Sequence, residues 1–353
     1  MGRRSVLIGG SLLGAGAACG AGAFAAGASA HAVGLVRAAV RSTRSVDDGF
    51  DELLAEPTHH CDRRTVTTAD GARLNVEVYG RDVAASDNKD IIVVIHGWTC
   101  NTRYWNPQIN HLAGDRTVVA YDQRGHGRSE LGRRRPSVGL LGRDLDAVLG
   151  EVIPPGRRAV LVGHSMGGMT IMSWAAQYPD RAATMISGVV LASTAAKAVV
   201  ANHQLIPVDL PRYSRPLTTA VSRIVISAST PLPHNAYNTR IAHYMALGTP
   251  ARAAHVAFVR EMIAACPPRA RGRWGAAMAR LDVVAGLHAL PGPVSVIVGT
   301  QDRLTPPTHA DRIAEVLRAR GTLRDYLVLD GVGHMSTIEA ARRVNELLDD
   351  IAG

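Results

Sequence analysis

The chain has 353 residues, 46% of them apolar, enough to bury a sizeable core and to suit one large domain with an inserted subdomain. Aromatic residues supply only 4%, so that core must rest on aliphatic side chains and alanine. The formal net charge is +9, but five arginines and no acid precede Asp47, and the other basic residues are scattered apart from Arg133-Arg134-Arg135, which reads as a solvated loop. Without an aromatic stacking platform beside them, a nucleic-acid partner is not expected.

Residues 1–44 form the first unit. Arg3-Arg4 is followed by a Gly/Ala-rich run over 5–36, long enough to span a bilayer. Three readings stay open. Arg-Arg-x-Val-Leu-Ile fits a twin-arginine export signal, with an A-x-A cleavage site at Ala28-Ser29-Ala30. Arg37, Arg41 and Arg44 oppose translocation and favour an uncleaved anchor. A weakly hydrophobic tail packed on the protein or on a membrane surface is the third. Export or membrane association through the N-terminus is the expectation, with a cytoplasmic location as the alternative. Gly14, Gly16 and Cys19 only approach a dinucleotide-binding G-x-G-x-x-G, and no strand precedes them. The four cysteines, Cys19, Cys61, Cys100 and Cys266, are too far apart to assign a disulfide.

Residues 45–62 are polar and acidic and read as a linker. Residues 64–68 and 73–79 alternate around Asp70-Gly71, which predicts a hairpin. From residue 91 onward, short apolar runs alternate with helical spacing, the pattern of an α/β protein whose mostly parallel sheet is covered on both faces. The run 91–95 ends in His96-Gly97-Trp98, and 117–121 ends in Asp122-Gln123-Arg124-Gly125-His126-Gly127-Arg128-Ser129. The run 158–162 leads into Gly163-His164-Ser165-Met166-Gly167, and a helix is predicted over 166–178, stopped by Pro179. This is a G-x-S-x-G strand-to-helix turn, which presents a serine hydroxyl at a helix N-terminus.

The stretch 195–279 breaks the rhythm. It carries Pro207, Pro211, Pro231, Pro233, Pro267 and Pro268, and helical apolar spacing at Val256, Phe258, Val259, Met262 and Ile263. Beyond it, 294–298 leads to Asp302 and 326–329 leads to Asp330-Gly331-Val332-Gly333-His334. Ser165, Asp302 and His334 thus follow three separate strand ends in the order serine, acid, histidine.

On these residues the chain resembles the α/β-hydrolase superfamily over about 63–194 and 280–353, nearest to its serine esterases, monoacylglycerol lipases and cofactor-free haloperoxidases. The resemblance implies an α/β-hydrolase fold, with a core in two parts over 63–194 and 280–353 and a helical lid over 195–279 that covers the site. It implies Ser165 as nucleophile, His334 as base and Asp302 as the acid that orients it, with Asp330 as a turn residue. The oxyanion hole falls to the backbone amides of Trp98 and Met166, while His96, His126, His164, Asp122 and Arg124 brace loops. The expected substrate is a small-molecule ester or lipid, cleaved through an acyl-enzyme. Perhydrolysis and amide or C–C bond hydrolysis remain alternatives, and a non-catalytic ligand sensor is a more distant one. Serine at the elbow argues against epoxide hydrolases and haloalkane dehalogenases, which use aspartate there. No metal motif occurs and no cofactor is expected.

Overall fold

A computed structural model describes residues 34, 37–80, 90–200, 202–204, 215–230 and 235–352. Most of the expected leader, together with Cys19, Pro207, Pro211, Pro231, Pro233 and His234, lies outside the described residues. Among the described residues no helix is long and apolar enough to cross a membrane.

The strands in chain order are β1 Ser45–Val46, β2 Cys61–Thr67, β3 Arg73–Tyr79, β4 Ile91–Ile95, β5 Val118–Tyr121, β6 Ala159–His164, β7 Ile186–Ala192, β8 Ala251–Arg252, β9 Val294–Gly299 and β10 Leu323–Leu329. Eight of them form one sheet in the order β10-β9-β7-β6-β4-β5-β3-β2. Pairing is parallel from β10 to β5, and antiparallel from β5 through β3 to β2. The β2–β3 hairpin turns at Gly71, whose φ of 83° suits glycine.

The run Ile91–Ile95 is fully buried because both faces of the sheet are covered. Ile91, Val93 and Ile95 pack with Leu145, Val148, Ile171 and Trp174 from the helices Val138–Val152 and Met166–Gln177. Ile92 and Val94 pack on the opposite side with Ile109, Leu112, Val344 and Leu348 from the helices Asn106–Leu112 and Ala341–Ala352. Register then places the chemistry. Ile95 pairs with Gly163 and with Tyr121, His164 with Ala192, Ala192 with Ile297, and Leu329 with Gly299. The loops that follow these strands therefore emerge along one edge of the sheet.

Residues 195–282 leave and rejoin that edge at a single root. Val283 N–H donates to Ala196 O at 2.8 Å, and Lys197 Nζ lies 2.8 Å from Asp282 Oδ2. Between these points stand the helices Arg215–Ile226, Ala236–Ala246, Ala253–Ala265 and Pro268–Met278. Residues 45–62, expected as a linker, are not a free tether. Strand β1 pairs in parallel with β8, the Asp51 carboxylate accepts from His255 Nε2 at 2.9 Å and also holds Arg252, and Asn106 Nδ2 donates to Leu54 O at 3.1 Å. Two of the acids that made the stretch look solvated, Asp48 and Asp51, meet basic partners about two hundred residues away, and Cys61 and Asp62 already belong to β2.

Candidate active site

The elbow is built by close packing. Ser165 adopts φ 51° and ψ −114°, a conformation that L residues rarely take. It joins β6 directly to the helix Met166–Gln177, with Ser165 N–H donating to Ala192 O at 2.9 Å and Thr194 Oγ1 donating to Ser165 O at 2.7 Å. A Cβ on Gly167 would fall 2.0 Å from Ile95 O, so only glycine lets this helix start so near the end of β4. Met166 is the first residue of the helix, and its N–H has no partner within the helix. Ser165 is 8% exposed.

Asp302 and His334 meet directly, although 32 residues separate them. His334 Nδ1 lies 2.9 Å from Asp302 Oδ2 and 3.0 Å from Oδ1. The carboxylate is itself fixed: Oδ1 accepts the N–H groups of Leu304 at 3.0 Å and Thr305 at 2.8 Å, and Oδ2 accepts the Thr305 hydroxyl at 2.8 Å. Thr305 Oγ1 also lies 3.2 Å from His334 Nδ1. A carboxylate on Nδ1 leaves Nε2 as the free lone pair of the neutral imidazole, the tautomer a base requires. Both residues are buried.

Ser165 and His334 are linked through His164. The His164 and His334 rings lie 4.9 Å apart between centroids, and His164 Nε2 donates to His334 O at 2.9 Å. Tyr104 also stacks on the His164 ring, at 4.4 Å between centroids. Burial holds the His164 imidazole well below its ordinary pKa, with His334 adding to the effect, so His164 stays neutral and its tautomer is set by the His334 carbonyl. The 96–98 loop closes on the same point. A Cβ on Gly97 would lie 2.7 Å from His164 Nδ1 and 3.1 Å from Ser165 Cβ, which brings the backbone beside Trp98 to the elbow. The Trp98 indole donates to Arg271 O at 3.0 Å, tying this loop to the helix Pro268–Met278.

The surrounding polar residues are consistent with loop braces. His96 Nδ1 lies 2.7 Å from Gly97 O, while Nε2 accepts Gln123 N–H at 3.0 Å. Gln123 in turn reaches Thr170 on the elbow helix at 2.7 Å. Burial lowers the His96 pKa to about 3 and that of His126 to about 4. Asp122 accepts from Thr102 N–H, Arg128 N–H and Asn75 Nδ2, and burial pushes its carboxyl up. Arg124, fully buried, bonds both Asp144 and Asp70. Asp330 accepts from the Thr300 hydroxyl at 3.2 Å, while His334 Nδ1 lies against Asp302 and Thr305. Among the described residues no cluster of His, Cys, Asp or Glu could hold a metal ion.

Two contributors escaped the sequence reading. Thr305 could have been suspected from its position three residues after Asp302, where a hydroxyl can reach back to the carboxylate. Glu339, which accepts Gly333 N–H at 3.0 Å and Gly248 N–H at 2.7 Å, has no local signal at all.

The sequence model of the alpha/beta hydrolase family matches residues 92–347. The chain belongs to that family, and its class is that of the hydrolases. A 2-(acetamidomethylene)succinate hydrolase from Mesorhizobium japonicum is 33% identical over 99 residues, 28% of this chain and 34% of that protein, so the match spans about a third of the relative's length. The 3-oxoadipate enol-lactonase 2 of Acinetobacter baylyi is 26% identical over 287 residues, covering 80% of this chain and 94% of the relative. Among solved structures, a thermophilic esterase from Thermogutta terrifontis superposes with a TM-score of 0.63 at 21% identity, over 83% of this chain and all of the esterase. At that identity the likeness speaks for the fold.

Proposed function

We propose that the protein is a serine hydrolase that cleaves carboxylic esters through an acyl-enzyme intermediate. One observation carries this reading. Ser165 stands on a backbone turn of φ 51°, next to the residue that packs on His334, and His334 Nδ1 is held 2.9 Å from a carboxylate that three further hydrogen bonds fix in place.

His334 Nε2 takes the proton from Ser165 Oγ as the oxygen attacks the ester carbonyl. The Met166 and Trp98 amides receive the negative charge of the tetrahedral intermediate, where preset dipoles are worth most. Asp302 keeps the imidazole in its tautomer and stabilises the imidazolium. His334 protonates the departing alcohol, and water activated by the same histidine releases the acid. No step calls for a cofactor. The helices over 195–279 act as a lid in this reading, supported by their common root and by the Trp98–Arg271 bond.

Enol-lactones and amides present the same kind of carbonyl, so the similarity to an enol-lactonase keeps a cyclic ester within the substrate class. Membrane association through residues 1–44 is supported by the flanking arginines and by Phe50, 73% exposed beside β1. Its test is partitioning of the full chain onto anionic vesicles, beside a chain lacking residues 1–44.

A chain-length series of p-nitrophenyl esters tests the chemistry. A burst of nitrophenol, stoichiometric with enzyme and followed by slower turnover, is expected where deacylation limits. Turnover that survives unchanged in Ser165→Ala overturns the reading.

A further inference from the structure

The turn that follows the helix Ala236–Ala246 is joined to both loops that carry the proposed acid and base. Tyr244 O and Leu247 O accept from Arg303 Nη1 at 3.1 and 3.2 Å, and Ala246 O accepts from Met335 N–H at 3.1 Å. On the donor side, Thr249 N–H gives to Gln301 Oε1 at 2.8 Å and Gly248 N–H gives to Glu339 Oε2 at 2.7 Å. The other oxygen of the same carboxylate accepts Gly333 N–H at 3.0 Å. Gln301 and Arg303 flank Asp302, while Gly333 and Met335 flank His334. The backbones nearly touch, since a Cβ on Gly333 would fall 2.3 Å from Leu247 C and one on Gly248 would fall 2.0 Å from Gly331 O.

A helix end leaves carbonyls that need partners. Here the carbonyls of Tyr244 and Ala246 are answered by the neighbours of the acid and the base. We propose that Glu339 is a positioning residue for His334, bridging the loop that carries the base to the turn after the Ala236–Ala246 helix, so that seating this helix and orienting the imidazole are one event. This rests on the serine-hydrolase reading. Without the bridge, Gly333 N–H loses its acceptor and the residue before His334 is free to move, and an error well under 1 Å in a base slows proton transfer.

The carboxyl of Glu339 is pushed up to about 7 by burial, the nearby Asp302 carboxylate acting in the same direction and the N–H groups of Gly248, Gly333 and Met335 against it. Only the ionised form offers both oxygens as acceptors without turning an O–H onto one of the two N–H groups. The other titratable or charged groups around it are His334 on the base loop, Arg303 and His243 against the turn, with His243 Nε2 3.2 Å from Gly248 O, and Tyr104, which stays neutral under burial.

The test compares wild type with Glu339→Gln, using backbone amide resonances and ester kinetics on the full chain. In wild type the Gly248 and Gly333 amides should titrate together with a common midpoint near pH 7, and that shared midpoint should be absent in the variant. With p-nitrophenyl butyrate, kcat/KM of the variant should fall about tenfold at pH 8, and its acid limb should flatten from two protons to one. A residue that merely stabilises the fold would lower the melting temperature and leave that limb unchanged. Amides that titrate apart or not at all in wild type, or a variant with the wild-type limb, overturn the proposal. If the amides titrate together while wild type hydrolyses no ester, the bridge stands and the serine-hydrolase reading falls.

Discussion

Replacing Ser165 by glycine should make the protein more stable than replacing it by alanine, the reverse of the usual order. At an ordinary position, alanine is the more stable of the two by about 0.5–1 kcal/mol, because glycine gains more freedom on unfolding. At φ 51° and ψ −114° a Cβ is strained by roughly 1–3 kcal/mol, and glycine removes that strain. Both variants lose the hydroxyl, and the serine side chain makes no capping bond to the helix it precedes, so their difference isolates the backbone. The two terms leave Ser165→Gly ahead of Ser165→Ala by about 1 kcal/mol, on the order of 2 °C in melting temperature for a chain of this size. Urea midpoints of the two purified variants measure it. A glycine variant less stable than the alanine variant by the ordinary margin would mean that the elbow is unstrained and that the serine is not held there at a cost in stability.

Asp302→Asn keeps an oxygen for the Leu304 and Thr305 amides but turns a donor toward His334 Nδ1; kcat/KM for an ester should fall about 10⁴-fold with the urea midpoint little changed, whereas a loss under tenfold would remove Asp302 from its role. Arg124→Met strips Asp144 and Asp70 of their shared cation inside the fold and should destabilise by about 3–5 kcal/mol, read by urea unfolding; a loss below about 1 kcal/mol would mean that water reaches the pair. Acid should unfold the protein early. His96, His126, His164 and His309 are buried with lowered pKa values, so their contribution is present above the ordinary 6.5 and is lost as pH falls below it, when the unfolded chain binds their protons and the folded one does not. Glu339, raised to about 7, works in the opposite sense, but the imidazoles outnumber it, so stability should fall by more than one proton's worth, about 1.4 kcal/mol per pH unit, between pH 6 and 4.5. Urea midpoints across that range check it, and a slope below one proton would contradict the burial of these imidazoles.

The strands that carry the candidate site were legible because burial on both faces leaves an unbroken apolar signature. The run 91–95 and the strand Ile91–Ile95 coincide, and 294–298 differs from Val294–Gly299 by one residue. Ser165, Asp302 and His334 were legible for a related reason: each follows such a strand, and parallel pairing brings strand ends to one edge. What stayed hidden is held by contacts between distant segments. Asp51 looked like a solvated linker acid because its partners, Arg252 and His255, come from another part of the chain. Glu339 drew no reading from the sequence, since the amides it accepts from belong to glycines, which announce no partner. The Trp98 indole donates to Arg271 O, a partner 173 residues away that no local pattern announces.

Whether Ser165 is the nucleophile is tested by reaction of the full chain with a fluorophosphonate probe, with the modified peptide located by mass spectrometry in wild type and in Ser165→Ala. A single adduct is expected on the wild-type peptide that carries Ser165, and none in the variant, whose fold is otherwise intact. An adduct on another residue, or equal labelling of both proteins, would contradict it.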